Sequence, residues 1–209
     1  FFKQKTAYEM STSDWSSDAC SSDLEVRDLL GRRRGLLDGV VFTGGEALRQ
    51  DALADAAREV IDMGFAVGLH TAGPYPRRLR DMVERGLVDW VGLDIKALPE
   101  HYAQVVGRPN SAPKAWQCLQ VLLEAAADGG PDFEVRTTVV PGDVTADDAV
   151  EVARRVHEAG ARVYALQQAR GQGTTGRFAV VAPGWDAACE RMAERIEALG
   201  WDRFTYRPA

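Results

Sequence analysis

From residue 25 onward, short apolar runs alternate with segments whose apolar residues recur every three or four positions. The apolar runs predict buried strands over 39–43, 65–69, 90–95, 133–140 and 162–166. The periodic segments predict helices over 26–34, 51–63, 76–85, 112–127, 146–159 and 186–199. Strands that alternate with helices are typical of right-handed β-α-β units and a parallel sheet. The pattern therefore predicts an α/β protein, and it leaves a doubly wound sheet and a partial barrel open.

The first 24 residues show neither pattern and are rich in serine and aspartate. Three stretches within them, 3–9, 14–18 and 20–24, can be encoded by codons that resemble a common sequencing-library adapter. We therefore predict that residues 1–24 are an artefactual, disordered tail standing where native sequence belonged, and that residues 25–209 form one truncated domain. The alternative is a natural serine-rich tail.

Composition and charge narrow the class of protein. A chain of 209 residues that is 45% hydrophobic can bury one sizeable core. The formal net charge of -6 argues against nonspecific binding to nucleic acid or to an anionic membrane. No apolar run approaches the roughly 18 residues of a membrane-spanning helix, and the N-terminus lacks the apolar stretch of a signal peptide. We expect a cytoplasmic protein.

The three cysteines, Cys20, Cys118 and Cys189, lie far apart in the sequence. An odd number of widely spaced cysteines is a poor basis for disulfides. No two cysteines have the close spacing of a metal-binding motif, so the chain shows no three-thiolate metal site. Cys118 and Cys189 fall within helix patterns, where they are expected to be buried as small apolar residues.

Polar residues follow the predicted strands at the points where the strands end. In parallel α/β folds, ligands bind at the carboxyl ends of the strands. The convergence of these polar groups on one edge of an apolar sheet predicts a ligand site. In strand order, the candidate residues are Gly44, Gly45, Glu46, Thr71, Asp94, Lys96, Arg136, Thr138 and Gln167.

The chemistry of these residues suits a zwitterionic amino acid. Backbone groups around Gly44 and Gly45, together with the Glu46 carboxylate, can hold an ammonium group. Lys96 and Arg136 can hold a carboxylate. The amino-acid end of S-adenosylmethionine (SAM) is a ligand of this kind.

Each residue also has a simpler structural interpretation. The two glycines can serve only to make a tight turn. Asp94 and Lys96 lie two positions apart on a strand and can form a structural ion pair. Arg136 can pair with Asp94 or with Glu134, and the lone His70 is more often structural than catalytic.

The motif Gly44-Gly45-Glu46 is similar to the Gly-Gly-Glu motif of radical SAM enzymes. The run from residue 40 to about residue 173 resembles the activating enzymes of glycyl-radical enzymes, especially the activase of anaerobic ribonucleotide reductase. The segments that carry this resemblance are 40–47, 69–73, 91–97, Tyr102 with 106–108, and 135–142.

The resemblance implies a partial (β/α)6 radical SAM barrel and two cofactors. These are SAM and a [4Fe–4S] cluster, which is held by a Cys-x-x-x-Cys-x-x-Cys loop after the first strand. It also implies reductive cleavage of SAM to a 5′-deoxyadenosyl radical, which takes a hydrogen atom from a glycine of the partner enzyme. A reductant such as flavodoxin or ferredoxin supplies the electron. The nine candidate residues then become SAM-binding residues.

The chain departs from the family pattern where the cluster should be bound. The adapter-like tail stands in place of the cluster loop, so we expect a barrel that lacks its first strand and its cluster loop, with no catalytic residue or metal ligand of its own. Three alternatives stay open. They are a radical SAM enzyme acting on a small molecule, such as a 7-carboxy-7-deazaguanine synthase-like enzyme; a SAM- or nucleotide-binding module without redox chemistry; and an unrelated aldolase that uses Lys96.

Overall fold

The computed structural model describes residues 7–11, 21–169 and 182–209, and for residues 7–11 and 21–25 it describes the backbone alone. Strands and helices alternate along these ranges. The strands are β1 (Ala7–Ser11), β2 (Gly39–Thr43), β3 (Ala66–Thr71), β4 (Trp90–Asp94), β5 (Asp132–Val139), β6 (Val163–Gln168) and β7 (Arg203–Arg207). The helices are α1 (Ser21–Arg32), α2 (Leu53–Asp62), α3 (Pro76–Glu84), α4 (Tyr102–Val106), α5 (Ser111–Ala127), α6 (Val144–Glu158) and α7 (Trp185–Glu197). A short 3₁₀ helix, Ala47–Arg49, follows β2.

The fold is α/β with parallel strands, as the alternation predicts, and the strands follow the order of the sequence from β1 to β7. The chain divides into two compact units. The first unit contains residues 1–92 and 118–133, and the second contains residues 93–117 and 134–209.

In the first unit, β2 pairs in parallel with β1 on one side and with β3 on the other. The apolar stripe of α2 is buried as predicted, with Leu53, Ala56, Ala57 and Val60 all shielded from solvent. α2 packs on β3 with this buried stripe. The carboxyl ends of β2 and β3 lie at the same edge of this ladder because parallel strands run in the same direction.

In the second unit, β6 pairs in parallel with β5 and with β7. α6 and α7 pack against each other, and α7 also packs on β7. β7 is not apparent in the sequence because four of its residues are only half-buried, the first is exposed, and it carries arginine at both ends. Such a strand shows no continuous apolar run, which was the signal used for the other strands.

Residues 1–24, predicted to be a disordered tail, include two segments of regular backbone structure. Residues 7–11 form β1, which pairs residue for residue with β2 from Ala7–Gly39 to Ser11–Thr43. Helix α1 begins at Ser21, inside the predicted tail. The physical reason is that an open strand edge presents unpaired backbone groups, and the backbone of almost any segment can pair with them. Residues 1–6 and 12–20 lie outside the described residues.

The amino end of α6 also differs from the sequence-based expectation. The N-cap is Asp143, whose side chain accepts a hydrogen bond from the backbone N–H of Thr145 at 3.0 Å. The helix therefore begins two residues before the predicted start, at Val144. Thr145 lies within it and accepts a hydrogen bond from the backbone N–H of Val140. Asp147 lies in the first turn.

We expect Asp143→Ala to lower the free energy of unfolding by roughly 1 kcal/mol, because one backbone N–H at the start of α6 loses its acceptor. Urea unfolding followed by circular dichroism measures the change. The matched control is Asp55→Ala in the first turn of α2, where the helix has no side-chain cap. An equal loss in both variants would contradict the capping role of Asp143.

Candidate functional site

The turn after β2 contains the two glycines of the Gly-Gly-Glu motif. Gly44 has a φ of +104°, a backbone conformation that residues with a side chain rarely adopt. Gly45 is exposed, and a Cβ atom added to it would meet nothing within 4 Å. Backbone geometry therefore explains Gly44, whereas packing within the chain does not require Gly45 and leaves its backbone approachable.

The Glu46 carboxylate joins this turn to the end of β3. It accepts hydrogen bonds from the Thr71 hydroxyl at 2.8 Å, from the backbone N–H of Ala72 at 3.0 Å, and from the backbone N–H of Leu48 at 3.3 Å. Thr71 is 3% exposed, and its hydroxyl oxygen also accepts a hydrogen bond from the backbone N–H of Gly73. Glu46 thus joins the turn after β2 to the loop after β3, a role that its sequence motif does not reveal.

His70 and Thr43 lie at the ends of the two neighbouring strands. The Thr43 hydroxyl is 3.2 Å from the Nδ1 atom of His70. The His70 ring also meets the Trp90 ring edge to face, with 5.6 Å between the ring centroids. These contacts agree with the expectation of a structural histidine.

Three charged residues meet in the second unit. The Asp94 carboxylate accepts a hydrogen bond from the Nε of Arg136 at 2.9 Å and lies 3.5 Å from the Nζ of Lys96. The Arg136 side chain is only 9% exposed. Both ion pairs that the sequence left open are therefore present, and Arg136 takes Asp94 rather than Glu134 as its partner. Two cations lie beside one carboxylate, and guanidinium and ammonium groups are the usual partners of an anionic ligand group.

A buried hydroxyl chain supports this charged cluster. The Tyr164 hydroxyl donates to the Thr137 hydroxyl oxygen at 2.6 Å, and the Thr137 hydroxyl donates to the backbone carbonyl of Ile95 at 2.7 Å. The backbone N–H of Ile95 donates to the carbonyl of Arg136. Burial raises the pKa of Tyr164 far above its ordinary value, so the hydroxyl keeps its proton. Thr137 and Tyr164 are not among the residues predicted from the sequence, because their hydrogen bonds join residues that are far apart in the chain.

The two remaining candidates lie on neighbouring strands of the second unit. The Thr138 hydroxyl donates to the side-chain oxygen of Gln167 over a long 3.4 Å. Gln168, the next residue, is instead engaged by Asp186 and Tyr206. Gln167 is therefore the more accessible of the two glutamines.

The described cysteines do not fit a cluster-binding site. Cys118 and Cys189 are both fully buried and belong to different units. The Cys118 thiol donates to the carbonyl of Gly73, and burial raises its pKa to about 12. Burial also raises the pKa of Cys189 to about 11. Iron–sulfur clusters bind thiolates, and these two thiols are held in the protonated form. Within the described ranges, no three His, Cys, Asp or Glu residues are grouped to hold a metal ion.

The fold and the strand-end residues define a class of protein: a parallel α/β protein with a Gly-Gly-Glu turn after β2. The radical SAM superfamily matches residues 23–156, which is more than half of the chain. The chain therefore belongs to the radical SAM superfamily, as the resemblance implied.

Two curated relatives are proteins of Methanocaldococcus jannaschii that are named as glycyl-radical enzyme activating enzymes. One, MJ1227, is 27% identical over 132 residues, which is 63% of this chain and 54% of the relative. The other, MJ1632, is 27% identical over 118 residues, which is 56% of this chain and 45% of the relative. The chain thus spans about half the length of each.

Solved structures share the fold at low sequence identity. SuiB of Streptococcus suis, in a crystal structure bound to S-adenosylmethionine, has a TM-score of 0.64 and 10% identity, covering 93% of this chain and 45% of SuiB. TYW1 with a lysine-pyruvate adduct has a TM-score of 0.59 and 12% identity, covering 82% of this chain and 58% of TYW1. These similarities concern the fold alone. In the part of the chain that the structure describes, no helix is both long and apolar enough to cross a membrane.

Proposed function

We propose that this chain is the SAM-binding part of a radical SAM activase. In its full form, such an activase would generate a 5′-deoxyadenosyl radical and install a glycyl radical on a partner such as anaerobic ribonucleotide reductase. A reductant such as flavodoxin or ferredoxin would supply the electron. The observation that carries the proposal is the superfamily match across the Gly44-Gly45-Glu46 turn, together with two relatives named as activating enzymes.

We propose for each candidate residue the role that its chemistry suggests. The open backbone at Gly45 and the Glu46 carboxylate suit an ammonium group, such as that of the methionine part. Lys96 and Arg136, both beside Asp94, suit a carboxylate. Thr71, Thr138 and Gln167 complete the proposed set of SAM-binding residues.

A second candidate function is a SAM-binding module without redox chemistry. The observation that favours it is the state of Cys118 and Cys189, which are buried singly and held protonated. Reductive cleavage of SAM in this superfamily needs three thiolates on a [4Fe–4S] cluster. For the chain as it stands, we therefore propose binding of SAM without its cleavage.

We expect Glu46→Ala, Lys96→Ala and Arg136→Ala each to weaken SAM binding by about ten- to a hundredfold, since the loss of a charge-assisted hydrogen bond costs about 1.5–3 kcal/mol. Isothermal titration calorimetry measures the dissociation constants.

The matched controls are Lys114→Ala and Arg58→Ala. Both residues are exposed and make no ion pair with any residue that the structure describes. The controls should keep wild-type affinity. If all three site variants also bind SAM like the wild type, the assignment of the site is wrong. Circular dichroism of each variant separates a lost contact from a lost fold.

A further inference from the structure

The second unit contains a surface groove whose lining includes none of the candidate strand-end residues. It lies between the first turn of α6 and one face of α7, and its volume is about 280 Å³. We call it the α6–α7 groove. Its walls include Trp185, Ala188 and Met192 of α7 and Ala146 of α6. These side chains are half-buried, so an apolar strip is left partly open to solvent.

The apolar strip is a second stripe on α7. The first stripe, Cys189, Ala193 and Ile196, is fully buried in the unit. Trp185, Ala188 and Met192 recur three and four positions apart, which is the spacing of one helix face. α7 therefore presents more apolar surface than the described part of its unit covers.

Two arginines border the strip. Arg191 and Arg195 both line the groove and are exposed. They lie four positions apart on α7, where like charges are neighbours and repel each other. Arg195 is in the last turn, where the helix dipole favours a cation, but this explanation does not extend to Arg191.

Several arginines of other helices make ion pairs, although Arg58 of α2 makes none with the residues that the structure describes. Arg27 pairs with Glu59, Arg80 with Glu124, and Arg154 with Glu151. Neither Arg191 nor Arg195 makes an ion pair within the described ranges, although the chain has a net charge of -6. Two neighbouring arginines that make no ion pair in the described ranges, beside an apolar strip, are complementary to an acidic, apolar partner.

Two further side chains of the groove bear on how binding can be measured. The indole N–H of Trp185 is buried and has no hydrogen-bond acceptor among the described residues. Because this N–H is already shielded from solvent, its resonance serves as a probe of the groove rather than as a contact to the partner. Asp147 also lines the groove, so it opposes part of the positive charge and should weaken the binding of an anion.

We propose that the α6–α7 groove is a docking site for an acidic segment of a partner protein. An apolar side chain of that segment packs on Trp185 and Met192, and carboxylates on either side of it pair with Arg191 and Arg195. The proposal goes beyond SAM binding and does not depend on it.

The test uses the whole chain, labelled with ¹⁵N, and a synthetic pentapeptide with a central leucine flanked by two acidic residues on each side. The indole resonance of Trp185 is assigned from its disappearance in Trp185→Phe. The peptide is expected to shift this resonance in a saturable way. Arg191→Gln/Arg195→Gln is expected to weaken binding by about tenfold or more, because two charge-assisted contacts are lost. Asp147→Asn is expected to tighten it.

Arg58→Gln is the matched control, since it removes an exposed arginine from α2 in the other unit, and it should leave binding unchanged. Two further probes are the amide form of the pentapeptide, with glutamine and asparagine in place of the acids, and inorganic phosphate. The proposal is overturned if the acidic peptide does not shift the Trp185 resonance, or if the double variant binds it as well as the wild type. It is also overturned if the amide peptide or phosphate gives the same response as the acidic peptide.

Discussion

The 209-residue chain is expected to release no 5′-deoxyadenosine above background when it is given SAM, iron, sulfide and dithionite under anaerobic conditions. Cleavage of SAM by this superfamily needs an electron from a cluster with one open iron, which requires three nearby thiolates. The sequence has three cysteines in all, and two of them, Cys118 and Cys189, are buried in separate units with raised pKa values. The absence of SAM cleavage, compared with a radical SAM enzyme that holds its cluster, is the largest effect that we expect.

Liquid chromatography of the quenched reaction measures the product. The control is the Cys118→Ser/Cys189→Ser variant, which should give the same background as the wild type if neither thiol contributes. Multiple turnovers by the wild-type chain would show that the cluster is held in another way. In that case, the proposal that this chain binds SAM without cleaving it would be wrong.

The second large effect is expected at the ion pair between Glu134 and Arg207. The Glu134 side chain is 4% exposed, and both of its oxygens accept hydrogen bonds from the Nη2 of Arg207, at 2.8 and 3.0 Å. Arg207→Met leaves a buried carboxylate without its partner. We expect it to lower the free energy of unfolding by roughly 2–4 kcal/mol, somewhat below the usual range for a buried pair because Arg207 is itself 40% exposed.

Replacing both partners should restore most of this stability. In Glu134→Met/Arg207→Met, two apolar side chains of similar length replace the pair, and no charge is left buried alone. Arg203→Met, on the same strand, is the matched control and should change little, because Arg203 is exposed and makes no ion pair within the described ranges. Urea unfolding at neutral pH measures all four proteins. If Arg207→Met were as stable as the wild type, the pair between Glu134 and Arg207 would not be important for stability.

The alternation of apolar runs and amphipathic segments predicted most strands and helices to within a few residues. Strand β2 has the predicted bounds, and α3 ends one residue earlier than predicted. These elements are well predicted because burial of one face imposes a period that survives in the sequence. The prediction failed for β1 and β7, where partners across the sheet, rather than an apolar period, determine the strand.

The candidate site was also predicted only in part. The sequence placed Glu46, Thr71, Asp94, Lys96 and Arg136 at strand ends, and the structure brings Glu46 to Thr71 and Asp94 to both cations. It could not show which acid Arg136 takes as its partner. Glu134 and Arg136 lie two positions apart on β5, so the strand pattern allows them to pair, and only the structure shows that Arg207 of β7 takes Glu134 instead.

The sequence by itself determined the superfamily, the order of strands and helices, and the residue types at the strand ends. These properties follow from the spacing of apolar residues along the chain, from the positive φ that Gly44 adopts, and from short motifs of neighbouring residues. Only the tertiary structure decided that residues 7–11 join the sheet and that Glu46 joins two loops. It also decided that the thiols of Cys118 and Cys189 are buried apart. Each of these depends on contacts between residues far apart in the chain, and the energies of such contacts are set by burial and geometry rather than by neighbours in sequence.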